Sequence, residues 1–180
     1  MLSQVDRQPK AMRVIAGTMM MAAFVIIAFA IITRYAGGWG VPYFSFTTER
    51  GSSCKNNLTG YTCTPLTVAD IEFFGDVDLP GDAVVRQSKY VSTHDFALDA
   101  QLQVPRKSAA AALKGLNDAY GACQADHPSP LDTRNLTGVC VLANDDAVTR
   151  SGEASSRLYV VGTGVRKDGV RVISLAVKSR

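Results

Sequence analysis

Histidine is nearly absent from the chain: His94 and His127 are the only two in 180 residues, and neither lies at ligand spacing from a cysteine. No Cys-x-x-Cys occurs, so no zinc site is expected. A Gly-x-Ser-x-Gly elbow, a phosphate loop, a dinucleotide fingerprint and a zinc-protease helix are missing too. With no motif to carry catalysis, no catalytic, cofactor-binding or metal residue is assigned, and no cofactor is expected. Charge of one sign is also scarce where it would matter. The net charge of +3 lies in residues 1 to 34, whereas residues 35 to 180 carry 15 basic and 15 acidic side chains. A folded part with no net excess argues against a phosphate-binding surface and against a nucleic-acid partner.

What the chain does have is one long apolar run. Residues 14 to 33, VIAGTMMMAAFVIIAFAIIT, are free of charge for 20 positions between Arg13 and Arg34. As a helix the run is about 30 Å long, the thickness of a hydrocarbon core. A cleaved signal peptide competes with a permanent anchor, because Ala28-Phe29-Ala30 is an A-x-A-like triplet. The run exceeds a normal signal core, which favours the anchor. Arg7, Lys10 and Arg13 precede it, so the positive-inside rule places the N-terminus in the cytoplasm. Tyr35, Trp39, Tyr43 and Phe44 follow closely, and Trp39, set among glycines, is read as a headgroup-layer residue. Thr18 and Ala22 form a small-xxx-small pair, with Ala30 further along, a face that would admit a partner helix.

All four cysteines, Cys54, Cys63, Cys123 and Cys140, lie beyond that run. An even count on the expected exterior reads as two disulfides, and nearness in sequence favours Cys54 with Cys63 and Cys123 with Cys140. Asn57-Leu58-Thr59 and Asn135-Leu136-Thr137 match the N-glycosylation acceptor pattern, which matters in a eukaryotic secretory protein.

The exterior part reads as strands, then a helix, then strands. A strand is expected over residues 41 to 46, followed by a loop that holds the first cysteine pair. Residues 68 to 79 alternate loosely in Ile71, Phe73, Val77 and Leu79 and read as a bent strand. Strands are also expected over 83 to 92 and 96 to 104; in the second, Phe96, Leu98, Ala100, Leu102 and Val104 alternate with Ala97, Asp99, Gln101 and Gln103. After Pro105, AAAALKGLNDAY reads as an amphipathic helix capped by Ser108 and closed by Gly121. Residues 122 to 155 read as a long loop with a short strand at 138 to 142, and Asp168-Gly169 marks a closing hairpin.

The expected fold is therefore α+β: an N-terminal transmembrane helix, then an antiparallel sheet domain with one packed helix and two disulfides. Its parts are a cytoplasmic tail over 1–13, the span over 14–33, a juxtamembrane linker over 34–48 and an extracytoplasmic domain over 49–180. Within the domain, Asp70, Glu72, Asp76, Asp78 and Asp82 read as a solvated strand face, since the spacing lacks the series of a calcium loop. Residues 70 to 99 hold seven acids and two bases, and residues 165 to 180 hold five bases and one acid. The two segments would complement each other as sheet neighbours, or serve as contact faces if apart.

The run Ser92-Thr93-His94-Asp95-Phe96-Ala97-Leu98-Asp99-Ala100-Gln101-Leu102-Gln103-Val104-Pro105, the alanine helix after it and the N-terminal anchor resemble small single-pass membrane proteins of unassigned function in high-GC Gram-positive bacteria. The resemblance covers residues 90 to 121. It implies a cell-envelope location, where the two acceptor tripeptides would have no role, and it carries over no activity and no site residues.

The functional expectation is a membrane-anchored accessory, assembly or interaction subunit, with the lipid bilayer and a membrane or envelope protein as partners. A binding module for a small ligand or envelope polymer is the alternative. An enzyme would require His94 or His127 to meet an acid and a nucleophile in one cleft.

Overall fold

The structure is a computed structural model that describes residues 10–36, 44–57, 59–124, 126–144 and 156–179, with side chains for all of these but 10–13 and 36. A long helix, α1 (Lys10–Ala36), comes first. Its stretch Val14–Tyr35 is 22 residues long with a mean hydropathy of 2.5, and within it only Thr33, near the C-terminal end, is buried. The remaining chain forms an α+β domain. Its strands are β1 (Ser45–Thr47), β2 (Ser53–Asn57), β3 (Gly60–Cys63), β4 (Val84–Ser92), β5 (Phe96–Val104), β6 (Leu136–Ala143), β7 (Arg157–Arg166) and β8 (Arg171–Ser179). They build one antiparallel sheet in the order β1-β2-β3-β4-β5-β8-β7-β6. Two helices, α2 (Val68–Gly75) and α3 (Ala109–Tyr120), supply the second layer.

The alternation in β5 does what it promises. Leu98, Ala100, Leu102 and Val104 are buried, and their register partners in β8, Val177, Leu175, Ile173 and Arg171, are buried on the same face. Ile71 of α2 and Ala112 and Leu116 of α3 close over this face in a single core. Lys167 to Gly169 make the turn between β7 and β8, where the positive φ of 84° is supplied by Gly169. Gly121 ends α3 with a φ of 88°, as its position implied.

Four expectations are corrected. Residues 68 to 75 are helical, because Thr67 accepts a hydrogen bond from the Asp70 amide at 3.2 Å and Asp76 closes the far end in the left-handed conformation. Val68, Ile71 and Phe74 then share one side, a spacing of three that competes with the looser alternation. The acids consequently share no strand face, and Asp70 is only 1% exposed. Cys54 and Cys63 lie not in a loop but directly opposite each other on β2 and β3. Finally, Ser108 does not cap α3, because its hydroxyl bonds Asp82 at 2.8 Å instead.

The helix runs on to Ala36, and the sheet begins at Ser45, inside the stretch read as a linker. Trp39 and Tyr43, and the strand expected from Val41, lie mostly outside the described residues, as does Leu58 of the first acceptor tripeptide. The short strand foreseen at 138 to 142 is the middle of β6, and residues 145–155 lie outside the description.

Candidate interaction surface

The expected cysteine pairs both form: Cys54 with Cys63, and Cys123 with Cys140, leaving no free cysteine. Each staples a different margin of the sheet. The first joins β2 to β3 near the β1 edge, and the second ties the chain leaving α3 to β6, the opposite edge. Gln124 extends that second tie, donating its amide to Val141 at 2.7 Å and its side chain to Ala143 at 2.6 Å. Part of the β6 edge is thereby occupied, which shields it from pairing with another chain.

The other residues singled out do not converge on a reaction centre. His94 sits exposed in the β4–β5 turn, while His127 belongs to the loop before β6, on the other side of the sheet order. Among the described residues no group of three His, Cys, Asp or Glu side chains is placed to hold a metal ion. Asp70 is tied into local structure: one carboxylate oxygen accepts from the Thr48 hydroxyl at 2.6 Å, the Thr67 hydroxyl at 3.1 Å and the Ser52 amide at 3.2 Å. Burial pushes this carboxyl up, but the bonds from Ser52, Thr48 and Thr67 outweigh it and hold the pKa below the ordinary value.

One cluster had no signal in any local pattern. Arg157, at the start of β7, donates to the Phe74 carbonyl in the last turn of α2, lies 3.5 Å from Asp76 and faces the Phe96 ring at 5.8 Å. A cation suits the negative end of a helix, so this arginine anchors α2 to the sheet. It is separated from α2 by more than eighty residues, and only the fold brings them together.

The sheet face away from the helices is covered in one part and open in another. Near β6 it is covered: Pro130 packs so closely over Gly162 that an added Cβ there would lie 2.7 Å from the proline ring. In the middle it stays open. Two shallow depressions of about 330 and 270 Å³ share Asp99 and Ala176. Ala97, Ala176 and Ser174 form the low floor; Leu158, Val160 and Lys178 rise on one side, and Gln87, Lys89 and Gln101 on the other. The surface offers one carboxylate, two ammonium groups and two amides, equipment for hydrogen bonding rather than for breaking a bond.

β5 and β8 are neighbours, as charge complementation required, yet the acids of the earlier segment pair elsewhere: Asp76 with Arg157 and Asp82 with Lys107. On α1, Thr18, Ala22 and Ala30 are all exposed, and the Thr18 hydroxyl bonds the Ile15 carbonyl of its own helix at 2.9 Å. That polar group is therefore satisfied without a partner helix, and only the smallness of the face remains to favour one.

No known protein family matches the chain, and no curated protein and no solved structure matches it.

Proposed function

We propose that the chain is a single-pass membrane protein that holds an oxidised α+β domain outside the cytoplasm and acts as an accessory or assembly subunit of a membrane or envelope complex. The observation that carries this reading is α1, a long apolar helix whose side chains are exposed along nearly its whole length, with Thr33 buried at its C-terminal end, where it lines a depression with Asn57 and Thr59. So large an apolar surface needs lipid or protein to cover it, and its backbone is already satisfied internally, as a bilayer demands. Arg7, Lys10 and Arg13 on its N-terminal side orient it with the domain exterior. Two disulfides and no free thiol agree with an oxidising compartment. The scattered histidines and acids favour binding over catalysis.

The test has two stages. Full-length protein in intact cells or spheroplasts is treated with protease, and the domain should be digested while the N-terminal tail is protected. Tagged protein is then purified from its native membranes in mild detergent and its companions are quantified. A near-stoichiometric partner is the expected result. Extraction by alkaline carbonate would end the anchor reading, and recovery of the protein alone would end the accessory reading.

A further inference from the structure

Residues 35 to 180 carry no net charge, but the basic segment 165 to 180 supplies three cations to one place, and the fold adds Arg106 to them. The pairing of Val104 with Arg171 brings the end of β5 beside the start of β8, so the turn after β7 meets the first turn of α3. An open cleft of about 590 Å³ forms there, with Arg106, Arg166, Lys167 and Arg171 in its walls and Leu113 and Val165 among its apolar contacts. The volume is that of a small-molecule site. The nearest carboxylate in the turn is Asp168, which is taken by Arg166 at 2.8 Å. Lys107 is neutralised by Asp82 and adds nothing. The cleft therefore holds four cations against one acid.

Arg171 makes this more than a solvated patch. It is 7% exposed, and its guanidinium donates to the Ala109 carbonyl at 2.8 Å and the Thr163 hydroxyl at 3.1 Å. Among the described residues no carboxylate pairs with it. A buried cation without a counter-ion is costly, and burial alone lowers the pKa of this group. The start of α3 does not compensate it, because the carboxylate there, Asp82, is bonded to Ser108 at 2.8 Å and paired with Lys107. A guanidinium fork with flanking cations is the apparatus that recognises oxyanions.

We infer that the cleft between the β7–β8 turn and the start of α3 binds a phosphate-bearing ligand, with Arg171 as its buried anchor and Arg106 and Lys167 as the arms that reach it from the rim. The inference does not depend on the membrane reading. The cleft lies at the Val104 end of β5, whereas the chain arriving from α1 enters near the opposite end, where Gly60 touches Ser92. A nine-residue strand separates the two by roughly 25 to 30 Å.

The experiment is calorimetric titration of pyrophosphate into full-length protein held in zwitterionic lipid nanodiscs. Saturable binding is expected, weakened about tenfold or more in Arg106→Gln/Lys167→Gln, whose side chains are exposed and whose loss leaves the core intact. A Lys55→Gln/Arg86→Gln control removes equal charge from β2 and β4 and should bind as the parent does. Nanodiscs of anionic phospholipid separate the sources: headgroups that occupy the cleft would raise the apparent Kd for pyrophosphate at least about tenfold by competition relative to the zwitterionic discs, and a soluble ligand would leave it unchanged. Absence of saturable binding up to about 10 mM, or equal weakening in the control, overturns the proposal.

Discussion

Tyr120, the last residue of α3, donates its hydroxyl to the carbonyl of Gly75, the last residue of α2, at 2.5 Å. The same tyrosine accepts at its own carbonyl from the Tyr159 hydroxyl at 2.9 Å, and the two rings lie 4.8 Å apart. Two helix ends and strand β7 are thus tied by two tyrosine side chains, and burial drives the Tyr120 phenol strongly upward in pKa, so it remains a donor throughout the accessible range. Tyr120→Phe removes the donor and leaves the Gly75 carbonyl buried without it. A loss of about 1–3 kcal/mol in unfolding free energy is expected from urea titration. An unchanged midpoint would show that the two helices do not depend on this bond.

Gly115 sits inside α3, where alanine is intrinsically the better helix former by about 1 kcal/mol. The fold reverses that preference, because a Cβ at this position would lie 2.1 Å from the Asp78 carbonyl oxygen. Backbone that close cannot swing aside as a side chain would. Gly115→Ala should therefore destabilise the domain by about 2 kcal/mol or more, despite raising helix propensity. Thermal melting decides the matter, and a rise in Tm would mean that the chain at Asp78 gives way easily.

Asp70 sets an acid limit on stability. Its folded pKa lies below the ordinary carboxylate value of 3.8, so its contribution is complete above that value and disappears as the pH falls through the lower, folded one. Unfolding free energy of the parent protein should fall between about pH 5 and pH 2 more steeply than that of Asp70→Asn, which no longer titrates there. Parallel curves for the two proteins would remove Asp70 from the account.

The two disulfides close loops with sequence separations of 9 and 17. On the loop-closure model each contributes about 3 kcal/mol, with the longer slightly ahead. Their local consequences should differ. Cys123→Ser/Cys140→Ser frees the chain between α3 and β6 and should raise hydrogen exchange at Gln124 and along β6, whereas Cys54→Ser/Cys63→Ser should act on β1 to β3. Mass spectrometry of the unreduced parent should find no free thiol, and four thiols would contradict both pairings.

The parts of this protein that could be read in its sequence are those encoded by neighbours along the chain. Charge-free residues 14 to 33 predicted a helix that needs a lipid or protein cover, the strict alternation in 96 to 104 predicted a half-buried strand, and Ser108 to Gly121 predicted an amphipathic helix. Asp168-Gly169 predicted the turn that joins β7 to β8. Each is a period or a turn signal contained within a single window. The stretch 68 to 79 was ambiguous for the same reason, since Ile71, Phe73, Val77 and Leu79 suit a strand while Val68, Ile71 and Phe74 suit a helix. The Thr67 and Asp70 pair, three residues apart, was the local sign of a helix start.

Tertiary structure decided the rest. Arg157 at the end of α2, Tyr120 on Gly75, and Arg106 beside Arg166, Lys167 and Arg171 all depend on which strands pair and in what register. A net charge of zero over residues 35 to 180 is compatible with an even mixture or with a concentrated basic cleft, because a sum along the chain says nothing about separation in space. Composition and periodicity determined the long apolar helix, the half-buried strand at 96 to 104 and the amphipathic helix α3. The meeting of cations at the start of α3 was determined by the register of β5 on β8, and no segment of sequence contains that register by itself.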